Sequence, residues 1–319
     1  MSSSLTDIVL IPGGWHIPAS YRKFTTALST AFPSLRVTVL PLPSITNDPS
    51  PTADFYTDSA FVRSSVTQMI SEGRRLAILM HSYGGQVGSN ALHDLHPQEP
   101  STSTDSRGGI THLIYIAAAM LFPGTLMSRP YGDSKPNVAL VSPSDYDFGP
   151  ERVVALHPVE MWIGTREEDK GEATEEEIRE WVDTIWPIST RVFSQELQFA
   201  AWMEGRKMKV KEGMEGGKEE EKGEGERPEV VYVMCTKDTA VPYELQKWMV
   251  GRAREEVGVD VKVWKMETGH MPTLTATGEL VRILGEVLGK VLGDLDDVTC
   301  ELALRTGPGA EAAAQAAAS

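Results

Sequence analysis

The sequence predicts an α/β protein whose mostly parallel sheet is covered by helices on both faces, and three observations predict it. Short β-branched apolar runs recur along the chain, their apolar residues are consecutive rather than alternating, and helix-length stretches separate them. Six runs qualify as strands. They are "DIVLIP" from Asp7, "LRVTVLPLP" from Leu35, "RLAILM" from Arg75, "THLIYIAAA" from Thr111, "EVVYVMC" from Glu229 and "VDVKVW" from Val259. Helical spacing is expected over 21–32 and 54–71, and from Gln86 to Leu95 behind the third strand. The run "TGELVRILGEVLGKVLG" closes the chain's fold, with Leu280, Ile283, Leu284, Val287 and Leu288 on one face.

The alternation breaks once at length. No strand is evident from about 121 to 202, but "ATEEEIREWVDTIW" opens with Thr174 and Glu177 at capping-box spacing and carries Ile178, Trp181, Val182 and Ile185 as an apolar stripe. A helical insertion after a strand reads as a cap over 121–203, between core segments 1–120 and 228–305. The run 204–227, "EGRKMKVKEGMEGGKEEEKGEGER", has glycines and mixed charge and nothing to bury, so a charged flexible loop is expected there. A disordered Ala-rich tail is expected over 306–319.

The 319 residues suffice for one large domain with an insertion. A net charge of −15 argues against nucleic-acid and anionic-membrane partners and for a small-molecule substrate. Cys235 and Cys300 are too few for a disulfide framework and lack metal-ligand spacing. The amino-terminal "MSSSLTDIVLIPGG" has no basic region and a short apolar run, so a cytoplasmic location is expected.

The chemistry centres on "LAILMHSYGGQVG", where a buried strand ends in Ser82. A serine at a sharp strand-to-helix turn, with small residues two positions away, is the nucleophile elbow G-x-S-x-G. Gly84 fills the second glycine position, while Met80 stands at the first. A serine nucleophile needs a base and a carboxylate to orient it. Asp238 follows the fifth run in "CTKDTAVP", and His270 follows the sixth in "ETGHMPTLT". Alone, each reads as a turn former or a surface residue; together they stand in the order Ser, Asp, His at one sheet edge. The oxyanion donors are assigned to the backbone N–H of Tyr83 and of Gly14 in "LIPGGWH", with Gly13 keeping that loop open. His81, beside the nucleophile, is assigned a structural hydrogen bond. His93 and His96 are read as a solvated helix end, not as metal ligands.

"IPGGWH", "HSYGG", "CTKDTAVP" with Gln246 and Trp248 downstream, and "GHMPTLT" together resemble the α/β-hydrolase superfamily. The resemblance is to the branch that holds plant methylesterases, hydroxynitrile lyases and many fungal hydrolases. It implies catalytic Ser82, Asp238 and His270, no cofactor, a helical cap inserted after the sixth conventional strand, and a pocket beneath it. Candidate pocket residues are Trp15, His16, Phe122, Met127, Trp162, Trp181, Trp186 and Met271. Pro12 stands where plant members often carry a histidine. Met271 stands where cyanogenic lyases of the branch carry a lysine, which argues against cyanohydrin cleavage.

The expected function is a serine hydrolase acting on an ester, lactone or thioester of a small apolar or aromatic compound of secondary metabolism. Two alternatives share the fold: a lyase or cyclase using His270 as base without hydrolysis, and a small-molecule receptor. The oligomeric state is left open by the sequence.

Overall fold

The computed structural model describes residues 5, 7–96, 108–130, 144–204 and 227–292. All six expected runs are strands. In chain order the strands are β1 (Asp7–Ile11), β2 (Arg36–Val39), β3 (Arg75–His81), β4 (Gly109–Ile116), β5 (Tyr146–Phe148), β6 (Arg152–Ala155), β7 (Ile188–Ser189), β8 (Glu229–Cys235) and β9 (Val261–Met266). The helices are α1 (Arg22–Ala31), α2 (Phe55–Ser71), α3 (Gly84–Ala91), α4 (Pro158–Trp162), α5 (Glu175–Val182), α6 (Tyr243–Arg252), α7 (Pro272–Thr275) and α8 (Thr277–Leu292).

The main sheet has the order β2-β1-β3-β4-β8-β9, and every neighbouring pair in it is parallel. Consecutive apolar residues are needed because alternate side chains enter different cores. Ile8 and Leu10 pack with Ala77, Leu79, Phe24 of α1 and Leu284 of α8. Val9 and Ile11 pack on the other face with Ile78, Met80, Val62 of α2 and Met249 of α6. Strand order reverses between β1 and β3, so a crevice opens at their carboxyl ends, where sheets of this kind bind ligands.

Local signals set the helix ends. The Asp54 carboxylate caps α2 by accepting the Thr57 N–H at 2.7 Å. Thr174 and Glu177 form the expected reciprocal box at α5, with bonds of 3.1 and 2.8 Å. That helix stops at Val182, and Ile185, read as part of its stripe, instead forms an antiparallel bridge to His16. Helix α3 ends at Ala91, earlier than expected, and the chain turns at Asp94 with φ of 61°. His93 and His96 therefore lie past the helix. They are half-buried rather than solvated: His93 stacks on Phe199 at 3.9 Å, and His96 Nδ1 is 3.1 Å from Glu204 Oε2.

Between β4 and β8 the insertion carries α4 and α5, and also a three-stranded antiparallel sheet β5-β6-β7 that the sequence reading did not find. Its strands are two to four residues long, too short for any period to register. The insertion is thus mixed rather than purely helical. The charged run lies outside the described residues except at Glu204 and Arg227, and the last part of the second core segment, 293–305 with Cys300, and the tail 306–319 lie outside them altogether. No helix among the described residues is long and apolar enough to cross a membrane.

Met80 replaces the first glycine of the elbow because the following helix yields the space. A Cβ on Gly88 would lie 2.4 Å from the Met80 sulfur, so the thioether fills the notch that Gly88 leaves. Gly84 has no such exchange: a Cβ there would meet the Ile11 carbonyl oxygen at 2.3 Å, and backbone cannot swing aside. Gly84→Ala is expected to cost about 3 kcal/mol of stability. Gly251→Ala, in α6 with nothing within 4 Å, should gain about 0.5 kcal/mol. Urea denaturation of the two variants checks this, and equal midpoints would mean that the elbow does not press on β1.

Candidate active site

Ser82 follows β3 with φ of 53°, a left-handed conformation that is strained for a residue with a side chain. The backbone around it holds that conformation. Ser82 N–H donates to the Ile116 carbonyl at 3.3 Å, and its own carbonyl accepts from Gly85 and Ala119, each at 3.0 Å. The turn lifts Oγ away from the strand to within 2.8 Å of His270 Nε2. His270 comes from the loop between β9 and α7, and its Nδ1 lies 2.8 Å from Asp238 Oδ2.

The protons follow from the partners. A carboxylate only accepts, so Nδ1 of a neutral His270 carries the hydrogen and Nε2 offers its lone pair to the Ser82 hydroxyl. Asp238 is itself held: Oδ1 accepts the Ala240 and Val241 N–H groups at 2.9 Å each, and the Gln246 amide donates to Oδ2 at 3.2 Å. Gln246 is anchored in turn by bonds to both backbone groups of Cys235.

His81 has the structural role expected of it. Its Nε2 faces the His270 carbonyl at 2.8 Å and must donate, so its Nδ1 accepts from the Tyr21 hydroxyl at 2.8 Å. The Tyr21 oxygen then accepts the Gly13 N–H at 2.8 Å. This chain of bonds runs from the loop after β1 to the backbone of His270. Burial, and after it the neighbouring His270 and His16, push the His81 pKa well below the ordinary histidine value, so the ring is neutral.

Tyr21 takes the Gly13 N–H, while that of Gly14 stays free. No acceptor among the described residues takes the N–H of Gly14 or of Tyr83. Tyr83 is fixed by a buried carboxylate that the sequence reading missed. Asp58 Oδ2 accepts from the Tyr83 hydroxyl at 2.9 Å and from the Ser44 hydroxyl at 2.6 Å, and Oδ1 accepts the Ser44 N–H at 2.9 Å. Burial raises the Asp58 pKa to about 6 against the pull of these bonds. Its signal in the sequence was a charge on the apolar face of α2, three residues after Phe55 and four before Val62.

The insertion between β4 and β8 clamps the oxyanion loop. Trp15, at φ of 67°, donates its indole N–H to the Val153 carbonyl of β6 at 2.9 Å and stacks on Tyr146 at 4.6 Å. Its carbonyl accepts the Trp186 N–H at 2.9 Å. A cavity of about 30 Å³, room for roughly one water, lies over Ser82. Of the expected residues, Gly14, Trp15, His16, Tyr83, Met127, Trp162 and His270 line it. Four do not. Phe122 packs on Trp202 and Arg252, Trp181 stands behind His16 and Trp162, Trp186 meets Trp15 through its backbone, and Met271 is buried at the start of α7. Tyr146, Ala119, Ala240 and Val241 line the cavity without having been expected; Tyr146 lies in the stretch where no strand was legible.

Comparison with known proteins agrees with the fold. A probable hydrolase, R7, of a Phoma species is 23% identical over 284 residues, covering 88% of this chain and 98% of that protein. Methylesterase 10 of Arabidopsis thaliana is 24% identical over 239 residues, 71% of each chain. Among solved structures, a pyrethroid hydrolase of Sphingobium faniae superposes with a TM-score of 0.60 at 18% identity, over 90% of this chain and 98% of that one. Tomato methylketone synthase I gives 0.62 at 14% identity, over 91% and 100%. The sequence profile of the Alpha/beta hydrolase family matches residues 8–283, nearly the whole described fold, and the chain belongs to that family.

Proposed function

We propose that the protein is a serine hydrolase that cleaves an ester, lactone or thioester of a small apolar or aromatic metabolite. The observation that carries this reading is the continuous hydrogen-bonded line Ser82–His270–Asp238 beside two unengaged backbone N–H groups. His270 Nε2 takes the Ser82 proton as Oγ attacks the carbonyl carbon, and the oxyanion is received by the N–H groups of Gly14 and Tyr83. The imidazolium, held by Asp238, returns the proton to the leaving alcohol or thiol. Water, deprotonated by His270, then releases the acid and restores Ser82. The relatives named as hydrolase and methylesterase support ester cleavage. Trp15, Tyr146 and Trp162 around the cavity support an apolar or aromatic substrate, which has to displace part of the wall to enter.

A fluorophosphonate probe tests the activated serine, because its adduct places a phosphoryl oxygen where the oxyanion would lie. The adduct is expected on Ser82, absent from Ser82→Ala and strongly reduced in His270→Ala. A nitrophenyl ester is expected to give a burst of one equivalent before slower turnover. A folded protein that neither labels nor hydrolyses activated esters would favour the receptor reading instead.

A further inference from the structure

Tyr83 carries one of the two unengaged N–H groups beside Ser82, and its place in the chain is a soft one. It follows Ser82, at φ of 53°, and precedes Gly84 and Gly85, whose backbones resist rotation least. The Gly85 and Ala119 N–H groups hold the Ser82 carbonyl and so set the tilt of the peptide that carries the Tyr83 N–H. Where the Tyr83 Cα lies is fixed from the far end of its side chain. Asp58, fully buried on the face of α2 that also carries Phe55 and Val62, accepts the Tyr83 hydroxyl at 2.9 Å. The same carboxylate takes the Ser44 hydroxyl and N–H, and the Ser44 carbonyl accepts the N–H of Ser189 in β7 at 2.9 Å. Tyr83 is thereby tied to α2, to the loop after β2 and to the insertion. Burial, and after it the adjacent Asp58, push the Tyr83 hydroxyl well above its ordinary pKa, so it stays protonated and donates.

Stability does not call for this arrangement. A buried carboxylate is costly to desolvate, and well-packed apolar residues in place of a buried charged cluster are often neutral or stabilising. A phenylalanine at 83 would keep the ring contact that Tyr83 makes with Phe55 at 6.5 Å. What the charge supplies is a short, directional bond. We infer that Asp58 is a positioning residue for the reaction at Ser82: through the Tyr83 hydroxyl it fixes the backbone N–H that receives the oxyanion. The inference rests on the hydrolase reading. An oxyanion donor works only where the charge develops, so the anchor acts on the transition state and leaves ground-state binding of the ester alone.

Tyr83→Phe, Asp58→Asn and the double variant test this. Tyr83→Phe keeps the ring and the backbone N–H and removes only the anchor. Each single variant is expected to lose about tenfold in kcat on a nitrophenyl ester, with KM within about twofold of wild type. Affinity for benzeneboronic acid, whose tetrahedral adduct on Ser82 places an oxygen at the same donors, should fall by about the same factor as kcat. The double variant should be no slower than the worse single one, because Asp58 has nothing to hold once the hydroxyl is gone. Wild-type kcat in Tyr83→Phe would mean that Asp58 serves only the Ser44 loop, and would overturn the inference. So would losses that multiply in the double variant, or a lower melting temperature with boronate affinity unchanged. If Asp58→Asn does not fold, Tyr83→Phe decides alone: kcat and boronate affinity falling together support the anchor. A wild-type protein that neither turns over the ester nor binds the boronate sinks the hydrolase reading and the anchor with it, whereas an active wild type with unaffected variants sinks the anchor alone.

Discussion

Ser82→Ala is expected to lower turnover of an activated ester by about 10⁴-fold or more while the protein stays folded. The methyl group of alanine fits the space of the serine side chain, and the elbow's backbone bonds to Ile116, Gly85 and Ala119 do not involve Oγ. The loss therefore reports the nucleophile alone. The strain at this position gives a second readout. Alanine keeps a Cβ at φ of 53°, so Ser82→Ala should not gain much stability, whereas Ser82→Gly removes the steric conflict and should raise stability by about 1 kcal/mol with the same loss of activity. Steady-state rates and thermal melts on the two variants measure both effects. Wild-type turnover in Ser82→Ala would exclude a covalent route and transfer the chemistry to His270 as a base.

Asp238→Asn is the second large effect, about 10⁴-fold in kcat with little change in folding. The Ala240 and Val241 N–H groups need an acceptor at Oδ1, so the amide oxygen of asparagine takes that place. Its NH₂ then faces His270 Nδ1, which is forced to accept, and the imidazole proton moves to Nε2, where it points at the Ser82 hydroxyl. The base has become a donor. The same NH₂ meets the Gln246 amide, which can rotate to offer its oxygen only by giving up its bonds to the Cys235 and Val241 carbonyls. Rates across pH, with circular dichroism to check the fold, decide the matter. Near-normal turnover would show that another carboxylate orients His270.

Gln246 shows how far the sequence reaches. The residue stood out as part of the downstream pattern, but its task, holding Asp238 against β8, is visible only once α6 is folded back on the strand. Met80 is the converse: alone it looks like a broken motif, and it is explained by Gly88, eight residues on, whose missing side chain leaves room for the thioether. Helix α5 was legible through its capping box, and its stripe was over-read by three residues because the bridge that draws Ile185 to His16 leaves no trace in a helical period.

The sequence by itself determined the six-strand parallel sheet, the elbow at Ser82 and the order of Ser82, Asp238 and His270. These follow from local physics. Burial on two faces demands consecutive apolar residues, a strained turn demands small neighbours, and loops after parallel strands emerge at one edge. Only the tertiary structure decided that Tyr21 takes the Gly13 N–H, how Asp58 fixes Tyr83, that β5 and β6 of the insertion hold Trp15, and that His16 Nε2 and Trp181 Nε1 are left without partners among the described residues. Each of these is a hydrogen-bonding account between residues far apart in the chain: 60 positions between Tyr21 and His81, 189 between His81 and His270, and 138 between Trp15 and Val153. Such bonds have no period and no spacing. They are fixed when packing brings a particular donor to a particular acceptor and excludes the water that would otherwise serve both.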